Sequence, residues 1–274
     1  MENIVAYFST MPTTSKFVWL LICLVLASAV ELWRPLIGRH RIGQHSGVNA
    51  VFIASDLTLN LIFTALLVLT YQWLEVSGFG LLNLLSMPLW VQLLLSVMVL
   101  DLVSQYFVHY LLHKVPLLFR FHMIHHSDTE VAATSGLRHH PGDYAVREVF
   151  ALATIVLFGI PLAFYVLYRM LTIFFALFTH ANIRMPRGLD RALHWVLVTP
   201  NLHKFHHHRE MPWTDTNFGN LFSIWDRLFG TLCYDDLSKV RYGLDVLDNS
   251  RDRDLMYQLK IPFDRSIKGG GEHR

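Results

Sequence analysis

Thirteen of the sixteen histidines fall between His109 and His208, most of them in three short groups. These are His109 with His113, His122 with His125 and His126, and His203 with His206 and His207, with His208 directly following. On an α-helix, residues three and four apart share a face, so each group can aim two or three ring nitrogens at one place. Convergent neutral imidazoles bind iron, zinc, copper or nickel, whereas Mg²⁺ and Ca²⁺ want oxygen ligands. Seven to nine such donors are too many for one four-coordinate ion, and closed structural zinc sites usually lean on cysteine. The pattern predicts two metal ions. The isolated His40, His45, His139 and His194 read as structural or surface residues, and His273 as a bystander.

The elements that carry these groups must be largely membrane-embedded. The 274 residues are 53% hydrophobic and 16% charged, with a mean hydropathy of +0.36, too apolar for an ordinary soluble domain. A formal charge of +2, with basic residues in loops rather than along a stripe, argues against nucleic acid as a partner. Cys23 and Cys233 imply neither a disulfide framework nor a thiolate site.

Residues 17–33 form an apolar run broken by Glu31. Ala27-Ser28-Ala29 resembles a cleavage site, but only Lys16 precedes it, and Arg34, Arg39 and Arg41 follow as a cytoplasmic anchor would. Residues 50–73 are long enough to cross a bilayer core, which takes about 20 residues. Asp56 and Asn60 interrupt that run one turn apart and should face the bundle, as interhelical glue or as functional groups. Residues 81–112 exceed what a bilayer needs and end in Asp101, Tyr106, His109 and His113. Residues 149–178 are split by Gly159-Ile160-Pro161, which ends or kinks a helix, and predict a re-entrant hairpin that returns to its starting side.

The loop between Leu74 and Ser86 has no Lys or Arg, whereas Arg34, Lys114, Arg120, Arg138, Arg184, Arg187, Arg191 and Lys204 accompany the histidine segments. The positive-inside rule then places all three groups on the cytoplasmic face, with the N-terminus outside. The expected fold is all-α: a multi-pass membrane helical bundle with a cytoplasmic helical cap carrying a histidine-ligated dimetal site. Residues 1–100 are N-terminal transmembrane helices, 101–247 the histidine-rich catalytic region with its hairpin at about 149–178, and 248–274 a polar, solvated C-terminal tail.

Several chemistries lack their signatures. There is no H-E-x-x-H, so a zinc protease has no general base, and no dinucleotide fingerprint around Gly78-Phe79-Gly80. The Glu-x-x-His of soluble di-iron bundles is also missing. His140-Pro141-Gly142-Asp143 faintly resembles a cytochrome b5-type haem motif but lies inside the histidine region. The alternative to an enzyme is a histidine-rich membrane metal-binding or transport protein without redox catalysis, whose ligands belong near the midplane.

The order and spacing of the groups resemble the fatty acid hydroxylase and sterol desaturase superfamily of integral membrane di-iron oxygenases. Asp101 and Tyr106 before the first pair, Thr199-Pro200 before the last group, Asn217-Phe218-Gly219, and residues 225–231 extend the likeness over about 101–231. It implies His109, His113, His122, His125, His126, His203, His206 and His207 as metal ligands, and His180 in Phe178-Thr179-His180-Ala181-Asn182 as another. Arg184 stands where some relatives place a further histidine, and His140 matches a position often histidine in sterol-type relatives. The likeness also implies two non-haem iron ions, with zinc as a substitute in purified protein, and use of O₂ to hydroxylate or desaturate a C–H bond of a lipid or sterol-like substrate. Electrons would come from an external ferredoxin- or cytochrome b5-like donor and its reductase. Each ligating imidazole needs its second nitrogen held, and Asp101, Asn182, Asn217 and Asp226 are the sequence's candidates for that work. Substrate is expected to enter between the third span and the hairpin.

Overall fold

The computed structural model describes residues 1–37 and 42–267, excluding the side chains of 13 and 42–46. Arg39, His40, Arg41 and the glycine-rich end with His273 lie outside the described residues, as does the side chain of His45. Among the described residues the chain is helical, with no sheet beyond two isolated bridges.

The frame consists of α1 (Glu2–Ser9), α2 (Thr13–Trp33), α3 (Ile42–Ser77) and α4 (Leu89–Leu100), which runs through a π-helical stretch (Asp101–Phe107) into α5 (Val108–Lys114). A hairpin follows, α7 (Pro141–Phe158) and α8 (Leu162–His180), and α6 (Pro116–His126) lies between α5 and α7 in sequence. Among the described residues four stretches are long and apolar enough to cross a membrane: Thr14–Trp33, Gly47–Leu84, Leu89–Lys114 and Leu162–His180. At 1.5 Å per residue even the 19 residues of α8 reach about 28 Å, close to the roughly 30 Å hydrocarbon core. Leu21, Val25, Leu26, Leu61 and Leu69 are exposed on these helices, a continuous apolar exterior that only lipid would cover. The chain is a multi-pass membrane protein.

The hairpin runs deeper than its sequence predicts. Its tip meets the connection between α3 and α4, where a Cβ on Gly80 would sit 2.3 Å from the Cα of Gly159. Gly159 closes α7 at φ 65°, a left-handed conformation suited to glycine. Both ends remain on the histidine side, but α7 and α8 traverse the whole frame. Asp143, Arg147 and Glu148 make the start of α7 look too polar for this depth. They are neutralised in pairs, Arg147 on Asp143 and Arg169 on Glu148, each at 2.8 Å.

Beyond the frame, α9 (Arg187–Leu193), α10 (Pro200–His206), α11 (Ile224–Leu228) and α12 (Leu255–Lys260) gather at the histidine end. Proline opens α6, α7 and α10 at the first turn, after a residue in extended conformation. Its fixed φ presets the helix, and its missing N–H is one the helix could not have bonded. Thr199 caps α10, its hydroxyl accepting from the Leu202 N–H at 3.2 Å. The histidine-bearing helices thus start at defined points.

Residues 248–267 are not a solvated tail. Ile261 and Ile267 of this segment bury, together with the preceding Leu244 and Leu247, against Phe119, Met123 and Ile124 of α6, and Leu255, Tyr257 and Leu259 pack against them. Arg138, fully buried, donates to Asp252 O at 2.7 Å, Ser127 Oγ at 2.9 Å, Ile124 O at 3.0 Å and Asn49 Oδ1 at 3.1 Å. Asp248, Arg251, Lys260, Asp264 and Arg265 are exposed and Asp252 is buried, where it accepts from the Thr129 hydroxyl, while the aliphatic residues between them hold the segment against α6.

Candidate metal centre

Nine imidazoles, from α5, α6, α8, α10 and the His207 that follows α10, converge at one end of the bundle and divide into two sets. His109, His113, His122, His126 and His206 form one, and His125, His180, His203 and His207 the other. Within each set the donor atoms lie within 4.8 Å of one another, and all nine residues are buried. Helix geometry explains the division. Residues i and i+4 stand one above the other, while i+3 points to the side. In His122-x-x-His125-His126 the outer pair enters the five-membered set and His125 crosses to the other. In His203-x-x-His206-His207 the outer pair enters the four-membered set and His206 crosses back. The sets abut, with His126 and His207 stacked at a centroid separation of 4.7 Å.

Hydrogen bonding assigns the tautomers. Nδ1 of His109 donates to Phe218 O at 2.9 Å, Nδ1 of His206 to Thr216 O at 2.7 Å, and Nδ1 of His180 to Ala176 O at 2.7 Å. Nδ1 of His122 donates to the Asp143 carboxylate at 2.6 Å. In the neutral ring the opposite nitrogen then carries a bare lone pair. Nε2 of His109 and Nε2 of His122 nevertheless lie 3.0 Å apart. Nε2 of His180 faces those of His207, His203 and His125 at 2.9, 3.0 and 3.1 Å. Nε2 atoms of His113 and His206 are buried with no hydrogen-bond partner. Lone pairs crowded together this way repel unless a cation lies among them. Metal–nitrogen bonds of about 2.0–2.1 Å place neighbouring ligand nitrogens roughly 3 Å apart, so both donor sets fit a metal ion.

Burial keeps His125, His126, His203, His206 and His207 well below the ordinary imidazole range, with neighbouring imidazoles adding to it. Burial lowers His122 too, against the pull of Asp143. These rings stay neutral, the form that ligates metal. Lys204, pushed down to about 7 by burial, donates to Ala181 O at 2.9 Å and Pro200 O at 3.2 Å. It pins the end of α8 to α10, and with them His180 to His203.

None of the four polar residues expected to hold the imidazoles touches one. The Asp101 carboxylate accepts from the N–H groups of Leu221 and Phe222 and from Trp225 Nε1, at 3.2, 3.1 and 2.9 Å. Asp226 accepts from Phe218 N and Gly219 N at 2.8 and 2.9 Å. Asn217, at φ 56°, binds Cys233 and Leu202 through its side chain. Asn182 binds the backbone of Ile37 through its side-chain amide. Asp101, Asn217 and Asp226 instead fix the 216–226 loop, whose carbonyls at Thr216 and Phe218 flank Asn217 and receive His206 and His109. Asp215 stands 3.9 Å from His113 Nδ1, and among the described residues the carboxylate hydrogen-bonded to a ring of either set is Asp143, which sequence reasoning missed. Its signal was weak, an acid one turn into the proline-led α7. His140 caps α7 by accepting from Gly142 N at 3.0 Å and stands outside both sets, as do His194 and His208. His139 lies flat on His125, centroids 4.9 Å apart, with Nδ1 3.6 Å from Asp56.

A cavity of about 300 Å³ reaches His109, His125, His180 and His203. Its walls include Phe17 and Leu20 of α2, Ile53 and Leu57 of α3, and Val166 and Ile173 of α8. Ser104 and Gln105 border it as well, so α2 and α3 join the third span and the hairpin as walls.

A model of the fatty acid hydroxylase family matches residues 93–231. The chain is 30% identical to a cholesterol 25-hydroxylase-like protein of Danio rerio over 80% of its own length and 88% of the relative's. It is 31% identical to the ornithine lipid hydroxylase OlsE of Rhizobium tropici over 53% of this chain and 42% of that protein. It is 28% identical to the alkylglycerol monooxygenase of Xenopus tropicalis over 51% of this chain and 30% of that one. The chain thus spans less than half the length of the latter two relatives. No solved structure matches it.

Proposed function

The chain belongs to the fatty acid hydroxylase family, and on that footing we propose that it is a membrane di-iron oxygenase that uses O₂ to hydroxylate a C–H bond of a lipid or sterol-like substrate. The observation that carries the reading is the division of nine buried imidazoles into two adjacent sets bordering an apolar cavity. The relatives' names all describe hydroxylases or monooxygenases acting on ornithine lipid, alkylglycerol or cholesterol-type molecules, which favours hydroxylation over desaturation. When bound, an iron pair supplies the oxidising power for an unactivated C–H bond, which no side chain can. The chain's own residues do the rest. Asp143 and the carbonyls of Thr216, Phe218 and Ala176 orient the rings, and the cavity lets a lipid reach them without crossing water. The excess of Lys and Arg at the histidine end supports a cytoplasmic site, within reach of a soluble ferredoxin- or cytochrome b5-like donor.

The test is a reconstituted reaction: full-length protein in lipid nanodiscs, Fe(II), a chemical or protein reductant, and ¹⁸O₂ with a membrane lipid extract. One labelled oxygen should appear in an alcohol product and vanish in His125→Ala. Protein holding two iron ions that makes no O₂-dependent product under these conditions would contradict the reading and leave metal storage or transport.

A further inference from the structure

The cavity carries polar groups at membrane depth that the metal sites do not use. Glu148 of α7 and Arg169 of α8 form an ion pair at 2.8 Å, the carboxylate nearly buried and the guanidinium 29% exposed, and both line the cavity. Tyr144 donates to Asn60 Oδ1 at 3.1 Å and lies 3.5 Å from the Arg169 guanidinium. Asp56 lines the same wall, and its Oδ1 is buried without a hydrogen-bond partner. Ionisable groups inside a span are expensive and mark substrate paths more often than packing. Arg169 has five N–H donors, but among the described residues only Glu148 and Tyr144 receive them. Arg169 itself lines the cavity.

We propose that Glu148 and Arg169, with Tyr144 and Asn60, recognise an uncharged hydroxyl group on the lipid, holding its apolar body between them and the histidines. A hydroxyl can donate to Glu148 while accepting from Arg169, which neither an ether nor a hydrocarbon can do. The cavity wall has no surplus of charge to attract an anion. Arg147 is matched by Asp143, and Lys16 and Arg169 are balanced by Asp56 and Glu148. Along α7, Glu148 stands five residues past the Asp143 that holds His122, and along α8, Arg169 stands eleven residues before His180. At 1.5 Å per residue the recognising pair lies on the order of 10 Å from the metal-facing rings. The lipid would therefore be oxidised at a fixed distance from its own hydroxyl. The inference deepens the lipid-oxidation reading and rests on it only in taking the cavity as the substrate's place.

Binding rather than turnover tests it. Full-length protein in nanodiscs is titrated with radiolabelled 1-hexadecanol, its methyl ether, and hexadecanoate. The wild type should prefer the alcohol to the ether by about tenfold or more, as expected when a hydrogen bond to a charged group is lost, and should bind hexadecanoate no better than the alcohol. In Glu148→Leu/Arg169→Leu, which removes both charges together and so leaves neither one buried alone, the alcohol and ether should bind alike while metal content stays at the wild-type level. If that variant does not fold, Tyr144→Phe serves, with the preference expected to fall about threefold. A wild type blind to the hydroxyl, or a preference that survives the double substitution, overturns the proposal and makes the pair a clasp between α7 and α8. Tighter binding of hexadecanoate overturns it in favour of an anionic ligand. Because no turnover is read, failure here is distinct from failure of the oxygenase reading.

Discussion

Asp143→Asn is expected to weaken one metal set and spare the other. The Asp143 carboxylate is fully buried and receives His122 Nδ1 at 2.6 Å, and His122 belongs only to the five-histidine set. Hydrogen bonds to charged groups contribute about 1.5–3 kcal/mol, and a neutral acceptor gives about half of that. Asparagine keeps an oxygen in place, so the loss should be about 0.8–1.5 kcal/mol, or roughly 4- to 12-fold in metal affinity. Alanine removes the acceptor entirely and should approach the 10- to 100-fold typical of losing a ligand's supporting partner, with Arg147 losing its ion pair as well. The assay is an anaerobic competition titration of Fe(II) against a chromophoric chelator, with the two equivalents resolved in one curve. In Asp143→Asn one equivalent should shift and the other stay at the wild-type position. Two equal shifts, or none, would refute the inference that this carboxylate supports a single site.

Two further outcomes follow from burial. Because the folded pKa values of His122, His125, His126, His203, His206 and His207 lie below the unfolded value of about 6.5, the unfolded chain binds more protons under acid. The chelator-treated protein should therefore hold its stability above about pH 6.5 and lose it as pH falls, by up to about 1.4 kcal/mol per pH unit for each ring. A flat denaturation midpoint between pH 7.5 and 5.5 would contradict this. Arg138→Met should destabilise by about 3–5 kcal/mol, since it strands the buried groups the guanidinium now satisfies. Hydrogen exchange should show residues 248–267 loosening first, and unchanged protection there would contradict the proposed anchoring.

The histidines were legible because helical spacing is local: His109 with His113, or His122 with His126, are neighbours by virtue of the helix alone. Even the division into two sets follows from the i, i+3, i+4 offsets, although which group meets which depends on how the helices pack. The partners of the second nitrogens were not legible. Four are backbone carbonyls, at Thr216, Phe218, Ala176 and Arg138, which carry no residue signature, and the fifth comes from Asp143, 21 positions beyond His122. Asp101, Asn217 and Asp226, expected to hold imidazoles, bind instead the loop that presents those carbonyls. The hairpin's depth and the burial of residues 248–267 were hidden for one reason. In both, charges that look solvent-bound in sequence are matched by partners distant in sequence, such as Glu148 by Arg169, or turned outward from an aliphatic face.

Iron-edge anomalous scattering from crystals of the iron-loaded protein would locate the ions themselves. Two peaks are expected, one among His109, His113, His122, His126 and His206 and one among His125, His180, His203 and His207. His206→Ala should weaken only the first peak and His203→Ala only the second. A single ion shared by all nine rings, or one peak lost in both variants, would contradict the two-site arrangement.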